Sequence, residues 1–305
     1  DEERERGKDN YACLLLADMK RKYGDIAYLI GGDSLRDIDT WKHPEKIFAE
    51  CPVVVAPREG CGDARAQRDS ALKKYGGEIV LLDIMGEDVS SGRIKAKLLL
   101  GEECPDIPKK VAEYIKERGL FGEYAETVRK LKGMESEELY AHSVAAVMRA
   151  VDLNSRHNLK QDFEKVFTAA LLHDNAKQRP SLDGLDVPAD SVGTPVLHQF
   201  LGAEKAKRDF NVTDEDILNA IRYHTTAKAD MTTLEMLIYT ADSTSYDREY
   251  DPIPELRAAV DEDFQGGFGK LLAFTYRKLQ KKGGGVYPLT EEAVRYYLPG
   301  MVGER

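Results

Sequence analysis

Residues 171–177 read Leu-Leu-His-Asp-Asn-Ala-Lys. They close an apolar helical face made by Phe163, Val166, Phe167, Ala170 and Leu171, and end it with two adjacent ionisable groups, His173 and Asp174, and with Lys177 one turn further on. An unpaired carboxylate near a core costs several kcal/mol. A metal cation is the natural partner of an adjacent His and Asp, so the rest of the chain must supply further ligands.

Five of the six histidines, His142, His157, His173, His198 and His224, lie in the C-terminal part. Thr213 and Asp216 read as a capping box that starts a helix with Ile217, Ala220, Ile221 and His224 on one face. Thr232 and Glu235 start the next helix in the same way, and its inward stripe Leu234, Leu237, Ile238, Ala241 runs beside Asp242. One inward histidine alone is ordinarily a core residue, and one inward Asp a cap or an ion-pair partner. Here His142, the His173–Asp174 pair, His198, His224 and Asp242 all fall on or next to inward faces of one small helical region. Imidazole with carboxylate suits iron, manganese or zinc, and six ligands exceed what one tetrahedral ion needs. Two ions bridged by one carboxylate is the economical arrangement. Asp174 is the expected bridge, whereas His157, in the polar stretch LNSRHNLK, is expected to be solvent-exposed and no ligand.

Composition bounds the reading. The chain has 305 residues, 42% hydrophobic and 32% charged, with a net charge of -10 and a pI near 5.3. This describes a soluble globular protein long enough for two domains and argues against nucleic acid as a generic partner. No apolar run is long enough to span a bilayer, and the charged start DEERERGKDN is unlike a secretory signal, so a cytoplasmic location without membrane contact is expected. Cys13, Cys51, Cys61 and Cys104 lack CxxC spacing and read as reduced thiols. The chain begins at Asp1, without Met, on a helix pattern that already reads as internal, which implies a preceding segment.

Residues 1 to about 121 alternate helix and strand patterns: a helix near 10–23, the strand IAYLIGGDS entering a Gly-Gly turn, a helix in PEKIFAE, strands in CPVVVAP and EIVLLDI, and helices near 91–100 and 107–118. Such alternation predicts a parallel sheet covered by helices, the second half of a doubly wound α/β domain. From Tyr124 the strand signals stop and helices follow to the C-terminus. The expected domains are therefore 1–122, partial α/β, and 123–305, all-α.

At these motifs the chain resembles the HD superfamily of metal-dependent phosphohydrolases, whose two-metal branch has the order H…HD…H…H…D. Residues His142, His173–Asp174, His198, His224 and Asp242 match it. The segments LLHDNAK, LHQFLGAEKAK and ILNAIRYHTTAKADMTTLEMLIYTAD, with Arg248, are similar to the YqeK-type symmetrical diadenosine tetraphosphate hydrolases over about residues 138–260. The resemblance implies two divalent ions, iron first and manganese, zinc or magnesium as alternatives, and hydrolysis of diadenosine tetraphosphate to two ADP. It also implies that Lys177 and Arg248 neutralise charge on the phosphate oxygens while Asp174 serves as the catalytic bridge; ADP or GDP would bind as nucleotides. Leu139 stands where the branch has Arg, Ser245 stands where it has an acidic residue, and His-Thr-Thr-Ala replaces a Gly version. Without a GYP motif, cyclic dinucleotides are less suited as substrates.

The earlier stretches IGGDSLRDIDTWKHPEKI, VVVAPREG, VSSGRIKAKL and VAEYIKERGLF are similar to the C-terminal two thirds of a bacterial nicotinate-nucleotide adenylyltransferase. Gly31-Gly32 lets a ligand approach the backbone, Asp33 can accept from a ribose, and Trp41 offers a face to a planar ring. Ser90 and Ser91 at a helix start, with Arg93 and Lys95 near, suit a phosphate. Gly32, Asp33, Trp41, Arg58, Ser90 and Ser91 are thus the expected binding residues for ATP and nicotinate mononucleotide. The family's HxGH is missing from these residues, His43 cannot replace it, and the usual SSTxIR reads Ser90-Ser91-Gly92-Arg93-Ile94-Lys95. Transfer by the family mechanism is therefore not expected from the chain as given. Hydrolysis is the favoured activity; the alternative is a nucleotidyltransferase whose HD domain binds nucleotide as a regulator. Self-association stays open.

Overall fold

The computed structural model describes residues 11–57, 62–84, 89–178, 180–182, 184–283 and 285–301. Contact density divides the chain at residues 89 and 90.

In the first unit the β-branched run Val53–Ala56 (β2) lies between Tyr28–Gly31 (β1) and Ile79–Leu81 (β3), all parallel, with Tyr28 opposite Val53 and Val53 opposite Ile79. Val53 and Val55 have no exposed surface. Helix α1 (Ala12–Tyr23) buries Cys13 and Leu16 and packs on α3 (Pro44–Glu50), while α2 (Gly32–Arg36) follows β1 directly. Parallel neighbours require a crossover, and between β2 and β3 it is α4 (Ala64–Tyr75), capped by the Asp63 carboxylate. The sequence reading passed over α4 because only Ala71 on it is buried, which leaves almost no apolar period to see.

Among its described residues the second unit has helices and no strand. Helix α5 (Ser91–Leu100) packs on α8 (Glu137–Arg156), so Ala96, Leu99 and Leu100 join the same core as Val147, Val151, Phe167 and Leu237. Compactness thus divides the chain ahead of residue 122, where the composition shifts. Between them run α6 (Lys109–Arg118) and α7 (Ala125–Met134). The remaining framework is α9 (Phe163–Leu172), α10 (Leu197–Phe210), α11 (Glu215–Arg222) and α12 (Thr233–Ser243), followed by α13 (Ile253–Glu262), α14 (Phe264–Lys282) and α15 (Pro288–Tyr297). The Thr232–Glu235 capping box forms as read. The Thr213–Asp216 box does not: Asp214 caps α11 by accepting from the Asp216 amide, and Asp216 turns to Lys165 at 2.6 Å. A carboxylate one residue closer to the helix outcompetes the threonine.

Candidate metal centre

Each candidate ligand is placed by a helix or its end. His142 lies within α8, His173 caps the C-terminus of α9 and Asp174 follows it, His198 is in the first turn of α10, His224 follows α11, and Asp242 ends α12. His173 and Asp174 have no exposed surface, and His142, His224 and Asp242 are buried. His198 leaves about an eighth of its side chain, 12%, to solvent.

Hydrogen bonds fix the tautomers. The Nδ1 atoms of His173, His198 and His224 each donate to the carbonyl three residues back, of Ala170, Pro195 and Ile221, all at 2.7 Å. His142 Nδ1 donates to Asp247 Oδ2 at 2.9 Å. All four Nε2 atoms therefore turn inward, and that of His142 lies 2.9 Å from Asp242 Oδ1. They meet in pairs, His142 with His173 at 3.4 Å and His198 with His224 at 3.2 Å. Asp174 stands between the pairs. Its Oδ2 is 3.3 Å from His173 and 3.7 Å from His142, and its Oδ1 is 3.4 Å from both His198 and His224.

Used as ligands, with both nitrogens of a pair unprotonated, these imidazoles would repel at such a distance unless a cation lay between them, and Asp174 Oδ1 is buried with no hydrogen-bond donor. Cations among these atoms would relieve both conflicts, and the His/carboxylate set has the chemistry to hold them. Among the described residues two groups meet the spacing that a metal needs, His142–His173–Asp242 and His173–Asp174–His224. Protons compete for the same nitrogens. Burial opposes charge on His173, but Asp174 and Asp242 outweigh it and lift the imidazole to about 10. Burial and the neighbouring His224 push His198 down to about 4. Burial also opposes the charge on Asp242, yet His142, His173 and Arg248 hold it well below the usual carboxylate range.

The family profile of the HD domain matches residues 139–247, which span this centre. The chain is 34% identical over 173 residues to the symmetrical bis(5'-nucleosyl)-tetraphosphatase of Bacillus subtilis (strain 168), covering 54% of this chain and 92% of the relative. The chain belongs to the HD family. A crystal structure of a predicted HD superfamily hydrolase involved in NAD metabolism, from Clostridium acetobutylicum, superposes with TM-score 0.52 and 33% identity over 57% of this chain and 96% of that one. A Mycoplasma genitalium protein named "Probable nicotinate-nucleotide adenylyltransferase/Ap4A hydrolase" is 26% identical over 74% of this chain and 62% of its own length. Similarity to that protein reaches beyond the HD domain, as the resemblance of the earlier stretches implied.

Around the HD centre, Lys177 reaches Asp174 Oδ2 at 2.6 Å. Arg248 Nη2 reaches Asp242 Oδ1 at 2.6 Å, and its Nε donates to the Asp242 carbonyl. The turn that carries Arg248 is held from two helices: Arg257 donates to the carbonyls of Thr244, Ser245 and Arg248, and Arg149 to the Thr244 hydroxyl. Asp247, on the same turn, was missed in the sequence. The family's acidic position falls at Ser245, and the carboxylate arrives two residues later. Burial opposes its charge, but His142 holds it at about 2. Gln199 was missed too; its buried carbonyl accepts from the Thr225 and Thr226 amides and fixes the turn after His224.

His157 needs a correction. It is half-buried, with its ring 5.7 Å from Phe264 and its Nε2 enclosed, and belongs to neither metal-competent group. A polar neighbourhood in the sequence hid a contact made through space.

The transferase-like candidates are more dispersed. Gly32 is buried at the start of α2, and a Cβ on Gly31 would stand 2.4 Å from Asp33 Oδ1, so the turn is tight against that carboxylate. Trp41 packs edge-on against Tyr28 at 6.3 Å and borders a cavity of about 400 Å³. Ser90 caps α5 by accepting from the Arg93 amide, and Ser91 is the first residue of α5. Arg93 lies 3.4 Å from Asp152. Arg58 and Cys61 lie outside the described residues; Cys13, Cys51 and Cys104 are free thiols. Among the described residues no helix is long and apolar enough to cross a membrane.

Proposed function

We propose that the chain is a two-metal HD phosphohydrolase that cleaves dinucleoside polyphosphates, taking diadenosine tetraphosphate to two ADP in the cytoplasm. Residues 123–305 carry the activity, and residues 1–122 are the C-terminal portion of a doubly wound nicotinate-mononucleotide adenylyltransferase. The observation that carries this reading is the set of four inward Nε2 atoms facing the two oxygens of Asp174. It supports His142, His173 and Asp242 with Asp174 Oδ2 as one ligand group, and His198 and His224 with Asp174 Oδ1 as the other. Iron is the proposed metal, with manganese, zinc and magnesium as competitors.

When bound, two divalent cations would polarise a phosphoryl oxygen and bring the pKa of water toward neutrality. The chain's own residues supply orientation and charge. The carbonyls behind three imidazoles and Asp247 behind the fourth lock the ring planes. Lys177 and Arg248, both at the rim, offset negative charge as it grows on the phosphate oxygens. Water adds to one central phosphorus, the central P–O bond breaks, and the leaving ADP takes the bridging oxygen.

The test is metal analysis of anaerobically purified protein together with a product assay on diadenosine tetraphosphate. Two irons per chain and ADP as the sole nucleotide product are expected. ATP with AMP as products, or full activity without metal, would overturn the reading.

A further inference from the structure

Two cavities open on the centre, and their walls differ. One, of about 480 Å³, reaches His142, Lys177, Asp247 and Arg248 and has no aromatic wall besides the His142 ring. The other, of about 250 Å³, reaches His224, Asp242 and Arg248 and continues between Tyr250 and α14. Arg248 borders both. A phosphate chain crossing the centre beneath this guanidinium would therefore send its two ends into different surroundings.

We propose that the smaller cavity is a nucleoside subsite in which Tyr250 and Phe274 stack on the base and Lys278 faces the phosphates. The proposal rests on the hydrolase reading above and names where one half of its substrate binds. The Lys278 ammonium lies over both rings, 5.0 Å from the Tyr250 centre and 5.8 Å from that of Phe274, so a base that stacks on them would move the cation off the rings and toward its phosphates. Tyr250 is 44% exposed, and a ring open to that extent beside a cavity is available for stacking. Leu271 and Ile253 form an apolar back wall, and Arg248, Lys278 and Lys282 outnumber Asp242 as charged groups on the lining. Apolar depth, aromatic faces and a cationic mouth together fit a nucleoside 5'-phosphate. At about 250 Å³ the cavity lies just under the roughly 300–1,000 Å³ common for small-ligand pockets, a size nearer one nucleoside than a whole dinucleotide.

The two halves of a symmetric substrate are then bound unequally. Only the half in the aromatic cavity gains stacking, which is tolerant of base identity because every base has a π-face. The ADP formed on the polar side leaves first, and the stacked ADP remains as product inhibitor.

Calorimetric titration of the full, metal-loaded chain with ADP and with inorganic pyrophosphate tests this. Phe274→Ala and Tyr250→Leu should each weaken ADP about tenfold, as the loss of one stacking contact does, and leave pyrophosphate within about twofold of wild type. ADP affinity unchanged in both variants, or ADP and pyrophosphate weakened alike, would overturn the subsite. Should wild type bind ADP in this way yet leave diadenosine tetraphosphate intact, the hydrolase reading falls and the subsite stands. Should it cleave that substrate while both variants keep ADP affinity, the subsite alone falls.

Discussion

Asp174 is a carboxylate with no exposed surface and one oxygen toward each histidine pair. In the proposed assignment it is shared by both ligand sets and so decides whether the ions are held jointly. Asp174→Ala should lose both metals by elemental analysis; retention of one full equivalent would count against a bridge. Asp247 acts on the same centre at one remove. It fixes the His142 ring from outside the ligand set, so Asp247→Ala should weaken metal binding roughly 10–100-fold, as loss of such an outer partner does. Equal metal affinity in variant and wild type would show that α8 alone orients His142. Lys177 is different again, because its side chain is 42% exposed and touches the proposed bridge from the solvent side. Lys177→Met should keep its metal and lose roughly 10²–10³ in kcat. Wild-type turnover in that variant would remove Lys177 from the mechanism.

Helix ends do the positioning, and that explains what the sequence could and could not tell. Apolar periods of 3.6 residues put His224 and Asp242 on inward faces, and both are buried in the structure. Convergence of His142, His173, His198 and His224 on Asp174 was legible for that reason, helped by a resemblance in residue order. Partners without a period were not legible. Asp247 sits on an irregular turn and reaches His142 across 105 residues, and α4 has one buried side chain to announce it. Glu135 is a third case, in the turn that joins α7 to α8. Burial raises its carboxyl from an ordinary 4.5 to about 7, against the help of His173, and Ser143 donates to it at 3.3 Å. A carboxyl raised on folding contributes stability below the unfolded value and loses it as pH climbs through the folded one. Wild type should thus weaken between about pH 4.5 and 7. Because part of the side chain reaches solvent, the effect is taken as about 1 kcal/mol. Glu135→Gln should match wild type near pH 4 and exceed it by that amount at pH 8 in denaturant melts; a constant difference across pH would contradict the burial argument.

Across the whole molecule, similarity and compactness divide the chain differently. The stretch that resembles an adenylyltransferase runs past α5 toward residue 122, whereas α5 shares its core with the HD helices. The basic residues expected to meet phosphate in that stretch are drawn toward the same helices: Arg93 toward Asp152, and Lys95 toward Glu164 at 3.9 Å with its ammonium over Phe163. Residues 90–305 expressed alone should consequently melt as one cooperative unit. Residues 123–305, which lack α5, should melt several degrees lower and bind a hydrophobic dye such as ANS. Identical melting curves for the two fragments would show that α5 is a passenger.

Gly92 shows how deep that attachment goes. A Cβ at this position would stand 2.8 Å from Val151 Cγ1 of α8, so the threonine that the resembled transferase motif carries there would fit only if Val151 or α5 shifted. A hydroxyl-bearing side chain at residue 92 therefore calls for a second change, at Val151, that makes room for it: Gly92→Thr alone should lower the melting temperature, and Gly92→Thr with Val151→Ala should recover part of the loss.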